Sequence, residues 1–131
     1  MVKLYNSFNI KKFHKKSIIL IGNFDGLHLG HQKLFKLANE FKKKYRLKIG
    51  VINFDPMPKM FFDNSLKNFR LSNLNQKINL LNNFGVDFII TKKFDKKFSK
   101  TKSENFIKKI LFQKVNAKFI FVSNNFRFGN K

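Results

Sequence analysis

The sequence predicts an α/β protein built on a Rossmann-like open parallel sheet. Two observations carry that expectation: short apolar runs alternate with helical patterns, and the runs are near-continuous rather than alternating apolar with polar. Alternation of this kind is what βαβ units produce, and continuous apolar strands belong to a sheet covered on both faces. The chain has 131 residues, which suits one domain.

The elements follow in order. Ser17–Ile21 (SIILI) reads as the first strand. Residues 31–45 then read as a helix, because Leu34, Leu37, Ala38, Phe41 and Tyr45 recur on one face, opposite lysines. Lys48–Phe54 (KIGVINF) is a second strand, stopped by Asp55, Pro56, Met57 and Pro58, since proline cannot donate to a central ladder. A helix over about residues 73–84 has Ser72 as its N-cap, a stripe of Leu74, Ile78 and Leu81, and Gly85 as its stop. Phe88–Thr91 is the third strand. Thr101 and Glu104 have capping-box spacing, ahead of a helix carrying Phe106, Ile107, Ile110 and Leu111. Lys118–Val122 is the fourth strand, and SNNFRFGNK follows it.

Composition removes several function classes. There is no cysteine, so neither a disulfide framework nor a thiolate metal site is expected. The apolar runs are too short to span a membrane, and the N-terminus has no apolar core of signal-peptide length, so a soluble, cytoplasmic protein is expected. The net charge of +21 is carried almost wholly by lysines spread along the chain. Dispersed lysine together with abundant Asn, Phe and Ile resembles drift in an AT-rich genome more than a nucleic-acid patch, although the field would still draw in polyanions.

The stretch GNFDGLHLGH, Gly22 to His31, holds two of the three histidines. It falls after the first strand, where open α/β sheets bind ligands. Gly22 and Gly26 allow close backbone approach to a ligand. The helix that starts near Gly30 aims free N–H groups and its positive dipole end at the same loop, which makes an anion site. His28 and His31 flank that start. The chemistry this suits is phosphoryl or nucleotidyl transfer, in which the protein positions groups and stabilises charge. The loop has neither the lysine of a Walker-type phosphate loop nor GxGxxG spacing. Two histidines without a third ligand leave a zinc site incomplete. Asp25 suits orienting the turn rather than acting as a base, Arg127 is placed to meet phosphate or solvent, and His14 is expected at the surface.

His28-Leu29-Gly30-His31 is the HxGH pattern of the nucleotidyltransferase superfamily, and the longer string GNFDGLHLGHQKL resembles the N-terminal module of bacterial FAD synthetases. NFDPMP (Asn53–Pro58), NFGVDFII (Asn83–Ile90) and NNFRFG (Asn124–Gly129) agree, so the likeness runs from about Ser17 to the last residue. The resemblance implies an FMN adenylyltransferase domain over residues 1–131, transferring AMP from ATP to FMN with release of pyrophosphate. It implies His28 and His31 as catalytic residues, and Gly22, Asn23, Phe24, His28, Gly30 and His31 along ATP. It also implies Mg²⁺ with the ATP phosphates. The flavin would meet Phe54, Pro56, Pro58, Phe62, Asn125 and Phe128, with Asn125 also available to the metal–phosphate cluster. With 19 phenylalanines in the chain, core packing is the competing role for each of them.

The chain departs from the family pattern at Met57, where many relatives have histidine, and at Ser123, where many have glycine. The resemblance also implies further strand, helix and riboflavin kinase segments that do not occur in these 131 residues. The domain is therefore expected to be C-terminally incomplete, without kinase activity. Its phosphate clamp would be finished by a missing half or a partner chain, unless the chain acts as a minimal enzyme. The alternatives are another HxGH transferase with a different acceptor, or a module that binds nucleotide, flavin or RNA without turnover.

Overall fold

The computed structural model describes residues 2–22, 24, 29–55 and 74–123. Five strands form one sheet: β1 (Lys3–Tyr5), β2 (Ile18–Ile21), β3 (Ile49–Asp55), β4 (Phe88–Lys93) and β5 (Phe119–Val122). Their order is β1-β4-β3-β2-β5, and every neighbouring pair is parallel. The Rossmann-like expectation therefore holds, with one strand more than the sequence suggested. β1 was missed because KLY is a three-residue edge strand in which only Leu4 is aliphatic, and Leu4 itself is half exposed. A strand paired on one side alone needs no apolar run.

The helices are α1 (Leu29–Tyr45), α2 (Leu74–Asn83), α3 (Lys96–Ser99) and α4 (Ser103–Asn105). α4 passes directly into a π-helical stretch over Phe106–Lys114. Alternate strand residues feed two cores, as the period of two requires. Ile18, Leu20, Ile49 and Val51 pack with Phe35 and Ala38 of α1 and Leu81 of α2. Ile19, Ile21, Ile52 and Phe54 pack on the other face with Phe98, Phe106 and Leu111. Ile18, Ile19 and Leu20 are fully buried, each contributing roughly 1.5–3 kcal/mol of apolar transfer.

Gly50 lies opposite Phe88, and a Cβ there would land inside the Phe88 ring. The missing side chain thus makes room for Phe88, on which the ring of His14 stacks at 4.5 Å. His14 is 4% exposed, so the surface expectation for it is wrong. Its Nδ1 lies 2.7 Å from the Tyr5 hydroxyl, a hydrogen bond that satisfies the buried ring without charge. Burial, with Lys48 next in effect, lowers its pKa below the ordinary 6.5.

The stop after α2 forms as read, with Gly85 at φ +85°. Asn39 Nδ2 donates to Phe84 O at 2.7 Å, Lys42 Nζ donates to Gly85 O at 2.8 Å, and Asp87 Oδ2 accepts from Ile49 N at 2.9 Å. The NFGVD stretch thereby ties α1, α2 and β3 together. The capping box at Thr101 does not form: Thr101 N closes the preceding turn on Phe98 O, and Lys102 occupies the N-cap position without a side-chain bond. The cap that does form is Asp95, whose Oδ1 accepts from Phe98 N at 2.8 Å.

Candidate active site

The sheet reverses direction at β2. From β2 the chain steps through β3 to β4 on one side, then returns to place β5 on the other side. A reversal of this kind opens a crevice beyond the carboxyl ends of the two strands. Here those strands are β2 and β5, the two that precede the Gly22 and Ser123 loops. Gly22 N donates to Ile52 O and Ser123 N to Ile21 O, both at 3.1 Å, so the ladder continues into both loops. A Cβ on Gly22 would lie 2.8 Å from Ser123 Oγ and 3.1 Å from Phe24 Cζ. The two stretches, far apart in sequence, meet at this glycine.

α1 begins at Leu29, directly beyond this crevice, and its first turn carries no acidic side chain. The positive end of its dipole is therefore not offset from within that turn. Gly30 and His31 lie in the turn, and His31 is partly buried. Phe24 sits beneath it, with ring centroids 4.9 Å apart at 74° and a second edge contact to Phe35 at 5.1 Å. Phe24 is only 2% exposed and holds φ +41°, a left-handed conformation that a bulky residue adopts only where its surroundings fix it. The sequence placed Phe24 along the nucleotide. The structure places its ring in the core, where it sets the position of His31.

A second part of the crevice lies on the face of α4. Ile21, Phe106, Leu111, Ile120 and Val122 line an apolar groove of about 270 Å³, with Ser103 at its rim. In the sequence pattern Ile21, Phe106, Leu111, Ile120 and Val122 have the spacing of strand and helix core. Their role in a groove depends on β5 pairing beside β2, which no local pattern reveals. Phe54, expected at the flavin, is fully buried and packs against Phe94, Phe98 and Phe106. It backs the Phe106 wall of this groove from inside. His28, Asn23, Asp25, Pro56, Met57, Pro58, Phe62, Asn125, Arg127 and Phe128 lie outside the described residues. Among the described residues no group of three or more His, Cys, Asp or Glu could hold a metal ion.

Residues 10–131 match the family model described as FAD synthetase. A bifunctional riboflavin kinase/FMN adenylyltransferase from Buchnera aphidicola subsp. Schizaphis graminum is 42% identical over 123 residues, covering 94% of this chain and 39% of that protein. The protein of the same description from Escherichia coli K12 is 36% identical over 112 residues, covering 86% and 36%. A crystal structure described as a macrolide-efflux protein from Streptococcus pneumoniae superposes with a TM-score of 0.77 at 29% identity, covering 88% of this chain and 38% of that one. Among the described residues no helix is long and apolar enough to cross a membrane. The chain spans about two-fifths of the length of the curated relatives it matches, and across nearly all of its own length it belongs to the FAD synthetase family.

Proposed function

We propose that this chain is an FMN adenylyltransferase module, transferring AMP from ATP to FMN to give FAD and pyrophosphate. The observation that carries the reading is the contact between Gly22 and Ser123. It brings the loop leading to His31 and the loop after β5 to one crevice, next to an apolar groove.

An oxygen of the FMN phosphate attacks the α-phosphorus of ATP, and the bond from that phosphorus to the bridging oxygen of pyrophosphate breaks. The attacking phosphate is already an anion, so no general base is required. The chain's task is alignment and charge stabilisation. The start of α1, His31 and His28 receive the negative charge that develops on the departing pyrophosphate. Gly22, Asn23, the backbone of Phe24, and Gly30 lie along the nucleotide. Pro56, Pro58, Phe62, Asn125 and Phe128 serve the flavin, with Phe54 supporting its wall. Mg²⁺ bound with ATP would help neutralise the charge of its phosphates, and Asn125 would be available to that metal–phosphate cluster.

The test is FAD formation from FMN and Mg-ATP by the 131-residue chain and by its His31→Ala variant. Turnover that falls by about 10²-fold or more in the variant, at unchanged helix content, is the expected result. Turnover indifferent to His31, preference for nicotinamide mononucleotide over FMN, or FMN binding without any turnover would each refute it.

A further inference from the structure

β3 is apolar through most of its length, yet it carries a buried asparagine near its carboxyl end. Ile49 and Val51 pack with Leu81 of α2, and the period of two puts Asn53 next on that face of the strand. Lys77 lies four residues before Leu81, on the same face of α2, which brings it over Asn53. Both side chains are 3% exposed. With its amide oriented to satisfy its neighbours, Asn53 Oδ1 accepts from Lys77 Nζ at 3.0 Å. Its Nδ2 then donates to Thr91 Oγ1 at 2.9 Å and to Ile90 O at 3.2 Å. Asn53 and Thr91 are register partners, so one side chain joins β3, β4 and α2. Lys77 has a further interaction within the chain, and its ammonium group belongs to the fold.

Stability alone does not account for this network. Replacing paired buried polar groups by well-packed apolar ones is often neutral or stabilising. The ammonium group also stands in the first turn of α2, where the helix dipole opposes a cation and no acidic side chain in that turn offsets it. What the network does provide is one fixed arrangement, because satisfied buried hydrogen bonds specify geometry. It provides this at the strand end, two residues before β3 closes at Asp55 and three before Pro56. The nucleotide side of the crevice is held by other contacts. Gly22 meets Ser123, Phe24 meets His31 and Phe35, and β3 takes part there through its backbone, Ile52 O accepting from Gly22 N.

We infer that Asn53 is a positioning residue for the FMN acceptor: it holds the end of β3 from which the chain continues to Pro56 and Pro58. This rests on the adenylyltransferase reading above, which gives those two prolines to the flavin. The experiment titrates FMN by its fluorescence and ATP by calorimetry into the parent chain, Asn53→Ala, Thr91→Val and the double variant, beside a thermal melt of each. Binding is measured rather than turnover, so the result does not depend on the chain being active. Asn53→Ala should weaken FMN by about 10-fold and Thr91→Val by about 3-fold, with ATP affinity within about 2-fold of the parent in each. The double variant should weaken FMN no further than Asn53→Ala, since the bond that Thr91 makes to Asn53 is already lost. A merely structural role would lower the melt without separating FMN from ATP. Should Asn53→Ala fail to fold, Thr91→Val, which removes one hydrogen bond and keeps the shape, decides the matter. FMN affinity unchanged in the variants, or ATP weakened as much as FMN, overturns this proposal alone. A parent chain that binds no FMN overturns it together with the reading on which it rests.

Discussion

Gly22→Ala tests whether the two loops of the crevice are as tightly apposed as they look. The new Cβ would stand 2.8 Å from Ser123 Oγ, 3.2 Å from Ser123 Cβ and 3.1 Å from Phe24 Cζ. Real Cβ atoms do not sit below 3.0 Å, so something must move. The Ser123 hydroxyl can rotate away, but its Cβ is fixed to a backbone whose N–H is bonded to Ile21 O. Phe24 cannot retreat, being 2% exposed against Phe35. Overpacking of this kind costs about 1–3 kcal/mol; rotation of the hydroxyl relieves part of it, but the φ of +158° at Gly22 adds backbone strain that no side-chain movement removes. Activity should suffer more than stability, because a displacement approaching 1 Å in a positioning loop costs about 10²-fold in rate. The assay is a thermal melt beside FAD formation, repeated in Gly22→Ala/Ser123→Gly. The second change removes both Ser123 contacts and leaves only the one to Phe24. It should recover about 1 kcal/mol and part of the turnover, a coupling measurable by a double-mutant cycle. An unchanged melt and rate in Gly22→Ala, or no recovery in the double variant, would show that the loops are not in contact.

Two further outcomes concern the sheet beneath the site. Gly50→Ala should lower stability by about 3 kcal/mol, the upper end of overpacking, because Phe88 is fully buried between His14 and Tyr5 and has nowhere to move; the urea midpoint reads it, and a Gly50→Ala chain as stable as the parent contradicts the packing. His14 should make stability depend on pH. Its pKa is lowered in the folded state, first by burial, then by Lys48, Lys11 and Lys3 against the opposing Asp87. The unfolded chain therefore binds the proton more readily. The stability His14 contributes is fully present above pH 6.5 and is lost as pH falls below that value toward the lowered folded pKa. Urea midpoints across pH 7.5 to 5 should decline less steeply in His14→Gln; parallel profiles would place the ring in water.

What the sequence revealed, and what it hid, divides along physical lines. β2 and β3 were legible because both their faces are covered, and such strands must be apolar nearly throughout; β4 and the half-exposed edge strand β5 were legible because their own residues, FII and FIFV, are apolar. β1 was hidden because an edge strand has no such requirement. His14 and Lys77 were hidden because titratable residues are ordinarily at the surface. Each is buried through partners distant in sequence: Phe88 for His14, and Asn53 for Lys77. At the site, Gly22 and His31 could be singled out from spacing alone. The inward turn of Phe24 and the groove beside Phe106 depend on the order of the strands, which local patterns do not encode. The capping box at Thr101 misled because its spacing was right but the backbone N–H of Thr101 already closed another turn.

The pairing of β2 with β5 also bears on how the chain is made. Ile21 opposes Val122, about a hundred residues later, and closing a loop of that length costs on the order of 4 kcal/mol before any contact compensates. β3 and β4 complete one side of β2 early in synthesis. At roughly 5–20 residues per second, the other side waits some 5–20 s for its partner, with the all-apolar Ile18–Ile21 strand presenting an open edge. Such an edge is a template for pairing with other chains. The step that completes the crevice is thus also the step that covers the fully buried Ile18–Ile21 strand and passes the open edge to β5.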